Sequence, residues 1–134
     1  MIKNFDMKTI GFISTFENVT KNSVLDCIFD EKNICFLVEP GKIGTSIGKN
    51  GKNIKKLQKI FNKNIKIFEY NEDSKKFIKN MIPEAETIEI KDGKAFVTLN
   101  SQTKGKVIGR NGYNINKTRE ILKRNSKISK LEIK

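Results

Sequence analysis

The stretch "SIGKNGKNI" from Ser46 to Ile54 returns as "VIGRNGYNI" from Val107 to Ile115. An isoleucine, Gly-basic-Asn-Gly and then Asn-Ile recur 61 residues apart. Nine glycines in 134 residues make a single Gly-x-x-Gly uninformative. Two in matched surroundings constrain the fold far more, because a repeat of this length is one supersecondary unit used twice.

The flanking residues extend the match. At the same offset Gly44 meets Gly105, Ile47 meets Ile108, Ile54 meets Ile115 and Ile60 meets Ile121. In the first half, Ile10, Ile13 and Phe16 recur at helical spacing within residues 7–20. "VLDCIFDEKNICFLV" then reads as a hairpin turning at Asp30 to Asn33. Its register sets Phe29 against Ile34, Cys27 against Phe36 and Leu25 against Val38, a half-buried pair. A short helix over residues 42–47 leads to Gly48-Lys49-Asn50-Gly51. A second helix follows with Ile54, Leu57, Ile60 and Phe61 on one stripe, and "NIKIFEY" is a strand.

The second half repeats this order. Residues 73–82 are helical with Phe77, Ile78 and Met81 apolar. "TIEIKDGKAFVTL" is a hairpin whose Asp92-Gly93 suits a type I′ turn, with Ile88, Ile90, Ala95, Val97 and Leu99 on one face. Helices over residues 102–108 and 113–124 flank Gly109-Arg110-Asn111-Gly112, and "ISKLEIK" closes the unit. The expected fold is α+β: two tandem α-β-β-α-α-β units, residues 1–71 and 72–134. Each is a three-stranded sheet with helices on one face. The polar joint "NEDSK" is short enough to hold the units in a nearly fixed relation.

Charge narrows the function. There are 27 Lys and Arg against 15 Asp and Glu, a net +12, and a chain this basic usually meets a polyanion. The cations gather at the repeats. From Lys42 to Lys66 there are eight lysines, and from Lys94 to Arg119 six basic residues, with no acid in either stretch. A solvated helix would mix signs, whereas a track for a sugar-phosphate backbone requires one sign. The helix–Gly-x-x-Gly–helix corner adds a phosphate seat. Its glycines allow tight turning and close approach, the following helix opens with unpaired N–H groups, and Lys49 and Arg110 add attraction. Asn50 and Asn111 offer hydrogen bonds without repulsion.

Several other functions are excluded. "GTSIGKN" has three residues between glycines and Asn after Lys, so it is no phosphate-binding P-loop. With no histidine, Cys27 and Cys35 cannot complete a zinc site without carboxylate help. They fall on opposite strand faces and suit reduced, buried thiols in a cytoplasmic setting. Nothing suggests catalysis, a cofactor, a metal, a small-molecule substrate or a membrane span.

A Gly-x-x-Gly loop between two helices, preceded by Ile and followed three residues later by Ile, resembles the KH domain. The order α-β-β-α-α-β resembles its prokaryotic type II form, and the tandem with its linker resembles the archaeal NusA-like transcription factors. That resemblance covers nearly the whole chain. It implies single-stranded RNA, the nascent transcript, as partner, and RNA polymerase as a second partner in elongation, pausing or termination. Bacterial NusA carries in addition an N-terminal polymerase-binding domain and an S1 domain, with no counterpart in these 134 residues. Carried over by position, the loops Gly48, Lys49, Asn50, Gly51 and Gly109, Arg110, Asn111, Gly112 would touch phosphate. Ile47, Ile54, Ile108 and Ile115 would line the groove. Lys42, Gly44, Lys52, Lys55, Lys104, Lys106 and Lys117 would flank it, and Tyr113 is the candidate for base stacking. Alternatives are a tandem KH protein acting on ribosomal RNA and a module whose basic face meets acidic polymerase segments.

Overall fold

The computed structural model describes residues 5–134. The chain divides into two compact units between Tyr70 and Asn71. No described helix is long and apolar enough to cross a membrane.

The first unit opens with α1 (Met7–Thr20). Asp6 caps it by accepting the Thr9 N–H at 2.7 Å, satisfying one of the donors every helix start leaves over. The helix stops at Lys21, which is left-handed at φ 63°. Its buried stripe is Thr9, Phe12, Phe16 and Thr20, not the one expected through Ile10. Ile10 is exposed, and Ile13 only packs against the core edge. The physical reason is aromatic: Phe16 stacks on Phe36 at 4.3 Å, and Phe12 sets its edge against Phe29 and Phe61, both at 5.0 Å. Large rings decide which helix face turns inward.

Strands β1 (Val24–Phe29) and β2 (Asn33–Val38) pair as the expected hairpin near the turn, Phe29 with Ile34 and Cys27 with Phe36. Asp30 fixes that turn, accepting the N–H groups of Lys32 and Asn33. Farther out the register shifts, and Val24 rather than Leu25 faces Val38. This bulge seats an extra residue in β1. The hairpin is also not half-buried: Ile28, Cys35 and Leu37 on the second face are as enclosed as Cys27, Ile34 and Phe36 on the first. The near-continuous apolar run of β2 fits a strand covered on both sides. Both cysteines are buried, on opposite faces, and form no disulfide.

The chain then forms α2 (Ile43–Ile47), the corner turn 49–51, α3 (Lys52–Phe61) and β3 (Asn64–Glu69). β3 runs parallel to β2, which is therefore the central strand. Leu57 anchors α3 in the core, while Ile60, expected on the same stripe, is 51% exposed.

The second unit repeats this order with α4 (Ser74–Met81), β4 (Thr87–Lys91), β5 (Lys94–Thr98), α5 (Ser101–Ile108), α6 (Tyr113–Asn125) and β6 (Lys130–Ile133). Asp73 caps α4 and Asn100 caps α5. Asp92 and Gly93 both have positive φ, as a type I′ turn needs. β6 lies parallel to the central β5. Ala95, Val97 and Leu99 are buried as expected, together with Ile121, Leu122, Ile128 and Leu131. Ile90, by contrast, stands exposed on the edge strand beside the turn.

Candidate nucleic-acid interface

Each corner is built from a helix end, a glycine pair and a helix start. α2 is anchored by Ser46, fully buried, whose hydroxyl donates to the Lys42 carbonyl at 2.6 Å. Asn22, just beyond α1, donates to Ser46 Oγ at 2.8 Å and Thr45 Oγ1 at 3.0 Å. The hairpin-side end of α1 thus holds α2 in place.

At the corner Gly48 takes φ 82°, ψ 164°, a region open essentially to glycine. Asn50 (φ 57°, ψ 27°) and Gly51 (φ 72°, ψ 19°) are both left-handed. The second corner has Gly109 at 78°, 171°, Asn111 at 55°, 28° and Gly112 at 77°, 16°. The two backbones are the same shape. This gives the loop asparagines a conformational role, since Asn tolerates the left-handed region better than most side chains.

The first glycine of each pair is also needed for space. A Cβ on Gly48 would stand 3.0 Å from the Asn53 backbone and amide, and one on Gly109 would stand 2.8 Å from Asn114. Those asparagines are the strap beneath the corner: Asn53 Nδ2 donates to the Thr45 carbonyl at 3.1 Å, and Asn114 Nδ2 to the Lys106 carbonyl at 3.0 Å. The repeated Asn-Ile of the sequence supplies this strap, a role that the motif alone does not reveal. Its recurrence five residues after the first glycine was the available signal.

Some N–H groups expected to face a ligand are spent within the turn. Gly51 N–H donates to the Gly48 carbonyl at 3.0 Å, and Lys52 N–H to that of Lys49. Gly112 and Tyr113 make the same bonds to Gly109 and Arg110. Each corner therefore leaves fewer free N–H groups for an anion than a bare helix end would.

Among the flanking residues, Lys42, Gly44, Lys49, Asn50, Lys52 and Lys55 are exposed in the first unit, as are Lys106, Arg110 and Asn111 in the second. Lys104 and Lys117 are half-buried. Lys106 lies 3.9 Å from Glu84 with its side chain 81% exposed, a contact worth little in water. The Lys117 ammonium sits 5.2 Å from the Tyr113 ring centre, and Tyr113 is itself exposed. Ile47, Ile54 and Ile108 are half-buried, and the first two pack one side on the core. Ile115, expected along the groove, is only 2% exposed and is a core residue. The α6 face it occupies also carries Thr118, Ile121 and Leu122, all buried, so its side chain points inward.

What these corners can do is hold an extended anion: a cation and bare backbone at each tip, half-buried isoleucines beside it. Comparisons with known proteins bear on the family. The KH domain family matches residues 13–84, the first unit from within α1 and on through α4. A probable transcription termination protein NusA of Methanocaldococcus jannaschii is 33% identical over 134 residues, covering 96% of this chain and 72% of the relative. One of Methanococcus vannielii is 35% identical over 127 residues, covering 90% and 73%. The crystal structure of APE1850 matches with a TM-score of 0.78 at 28% identity, over 97% of this chain and all of that one. The chain therefore belongs to the KH-domain family, among the archaeal NusA-like transcription termination proteins.

Proposed function

We propose that this protein binds single-stranded RNA through two KH domains of the type II form, residues 1–71 and 72–134, and acts on the nascent transcript in elongation, pausing or termination. The observation that carries the reading is the pair of corners with one backbone shape, each tipped by a cation and an asparagine. The element order and the parallel third strand of each sheet support the type II assignment. The relatives' names favour the transcript over ribosomal RNA, and polymerase contact belongs to the same proposal. Phosphate is held by Lys49 and Arg110 with the backbone between the glycines; Ile47, Ile54 and Ile108 supply apolar contact to bases. Catalysis has no part in this scheme.

The test replaces Lys49-Asn50 and Arg110-Asn111 with Asp pairs. Aspartate, like asparagine, accepts the left-handed backbone, so the corners keep their shape. Each cation becomes an anion, and affinity for single-stranded RNA at moderate salt should fall about a hundredfold or more. Circular dichroism should stay unchanged. Undiminished binding would remove the corners from the mechanism.

A further inference from the structure

We propose that Asn22 is a positioning residue for RNA binding by the first corner. It touches no RNA itself; its amide holds α2 in the place from which the corner Gly48 to Gly51 can engage a phosphate. The inference rests on the RNA-binding reading above and adds to it a residue from outside the helix–corner–helix motif.

The tie begins in the core. Phe16, stacked on Phe36, accepts the Thr20 hydroxyl at its carbonyl at 2.9 Å, and Thr20 Oγ1 in turn accepts the Asn22 N–H at 3.1 Å. With its backbone fixed in this way, Asn22 turns its side-chain amide on α2. Nδ2 lies 2.8 Å from Ser46 Oγ, 3.0 Å from Thr45 Oγ1 and 3.4 Å from the Lys42 carbonyl. Asn53 grips the same helix from α3, at the Thr45 carbonyl. Thr45 is thus held at its hydroxyl by one asparagine and at its carbonyl by another.

The short helix needs that grip. α2 has five residues, and Lys42 at its start makes no side-chain cap. A helix of that length is unstable by itself. Its Gly44 carbonyl nonetheless accepts the Gly48 N–H that leads into the corner. The second unit meets the same need differently. α5 has eight residues, and Asn100 caps it by accepting the Thr103 N–H at 2.9 Å. At the offset of 61, Pro83 stands where Asn22 does, with no side-chain amide to give, and Val107 stands where Ser46 does. The tether accompanies the short uncapped helix, and the long capped one does without it. Removing the Asn22 amide therefore lowers the fraction of chains whose first corner is ready to bind. Affinity falls by that fraction, while the contacts within the complex stay the same.

The experiment uses the full chain with Asn22→Ala or Ser46→Ala. Each is made in the parent and in two backgrounds, one with Lys49→Asp and Asn50→Asp, the other with Arg110→Asp and Asn111→Asp. Binding of a labelled single-stranded RNA of mixed sequence is measured over a salt series, and amide protection of β2 is followed alongside. Ser46 is fully buried, so RNA cannot reach it and its loss reports on position alone. With the second corner disabled, Asn22→Ala should weaken binding roughly tenfold, and Ser46→Ala should act in the same direction. The salt slope should not change, because the bound state keeps its phosphate contacts. With the first corner disabled, neither variant should alter binding, and β2 should stay protected throughout. Full affinity of Asn22→Ala in the second-corner background overturns the inference and leaves the RNA reading standing. A harmless Ser46→Ala beside a harmful Asn22→Ala overturns it by making Asn22 a contact residue. A flatter salt slope, a loss that persists with the first corner disabled, or loss of β2 protection overturns it as well, because the tie then serves the fold at large. A parent chain that binds no single-stranded RNA sinks both readings.

Discussion

The two units share an element order, a sheet topology and a corner, and differ in the side chains packed around it. In the first, aromatic rings fill the core: Phe12, Phe16, Phe29, Phe36 and Phe61 meet in edge and stacked pairs. The second packs Ile115, Ile121, Leu122, Ile128 and Leu131 instead. Ile54 is half-buried where Ile115 is fully so, and Ile60 is exposed where Ile121 is buried. Asn22 ties α1 to the buried Ser46, whose counterpart is Val107, with no hydroxyl to receive such a bond. The asparagine strap and the three positive-φ residues of the corner, Gly48, Asn50 and Gly51 or Gly109, Asn111 and Gly112, are nonetheless the same in both. Packing has many solutions, whereas the corner has been held to one. That contrast is the ground on which the RNA-binding proposal puts the contact at the corners.

The sharpest way to break the contrast is at the isoleucine pair. Ile121→Ala should cost about 2–5 kcal/mol by emptying a closed site, while Ile60→Ala should stay within about 0.5 kcal/mol. Chemical denaturation of the two variants measures both, and equal effects would mean the units are packed more alike than their exposures say.

The corner glycines come next. Gly48→Ala and Gly109→Ala force a side chain into a region reserved for glycine and against the strap, a loss of about 1–3 kcal/mol each. Gly109→Ala should be the worse, because its Cβ meets Asn114 at 2.8 Å rather than 3.0 Å. Thermal melts rank them. The reverse order would mean that the strap of the second unit yields more easily.

The smallest effect concerns acid. The Thr9 backbone N–H bonded to Asp6 holds that carboxyl below its usual range. Its contribution is present above the ordinary aspartate value of about 3.9 and is lost as pH falls through the lower folded value. In the second unit the Lys130 ammonium, 3.0 Å away, lowers Glu132 in the same direction. Amide protection, taken relative to the intrinsic exchange rate at each pH, should therefore fall on acidification at the start of α1 and at β6. Asp6→Asn keeps the cap and should abolish the pH dependence at α1 alone.

How much of this was legible beforehand depended on whether the signal was local. Element order, the I′ turn at Asp92-Gly93 and the repeated corner follow from spacing and turn chemistry, which neighbouring residues carry. The bulge at Leu25 was hidden because alternation fits either register until partners are known. Ile54 and Ile115 occupy equivalent places in the motif and differ only in what packs around them. Helical spacing offered Ile10 as readily as Phe12, and ring packing across the sheet chose between them. The role of Asn53 depended on reaching back eight residues through space, to a carbonyl no pattern marks.

Lys63 carries a consequence for anyone counting ions. Its ammonium is occupied by the carbonyls of Asp30 and Glu31, closing the tip of the first hairpin. One of the eight lysines between Lys42 and Lys66 is therefore a spectator, committed to the protein's own architecture. The slope of log affinity against log salt should then report fewer displaced counterions than a tally of positive residues suggests. The shortfall would be a signature of folding, not of weak recognition.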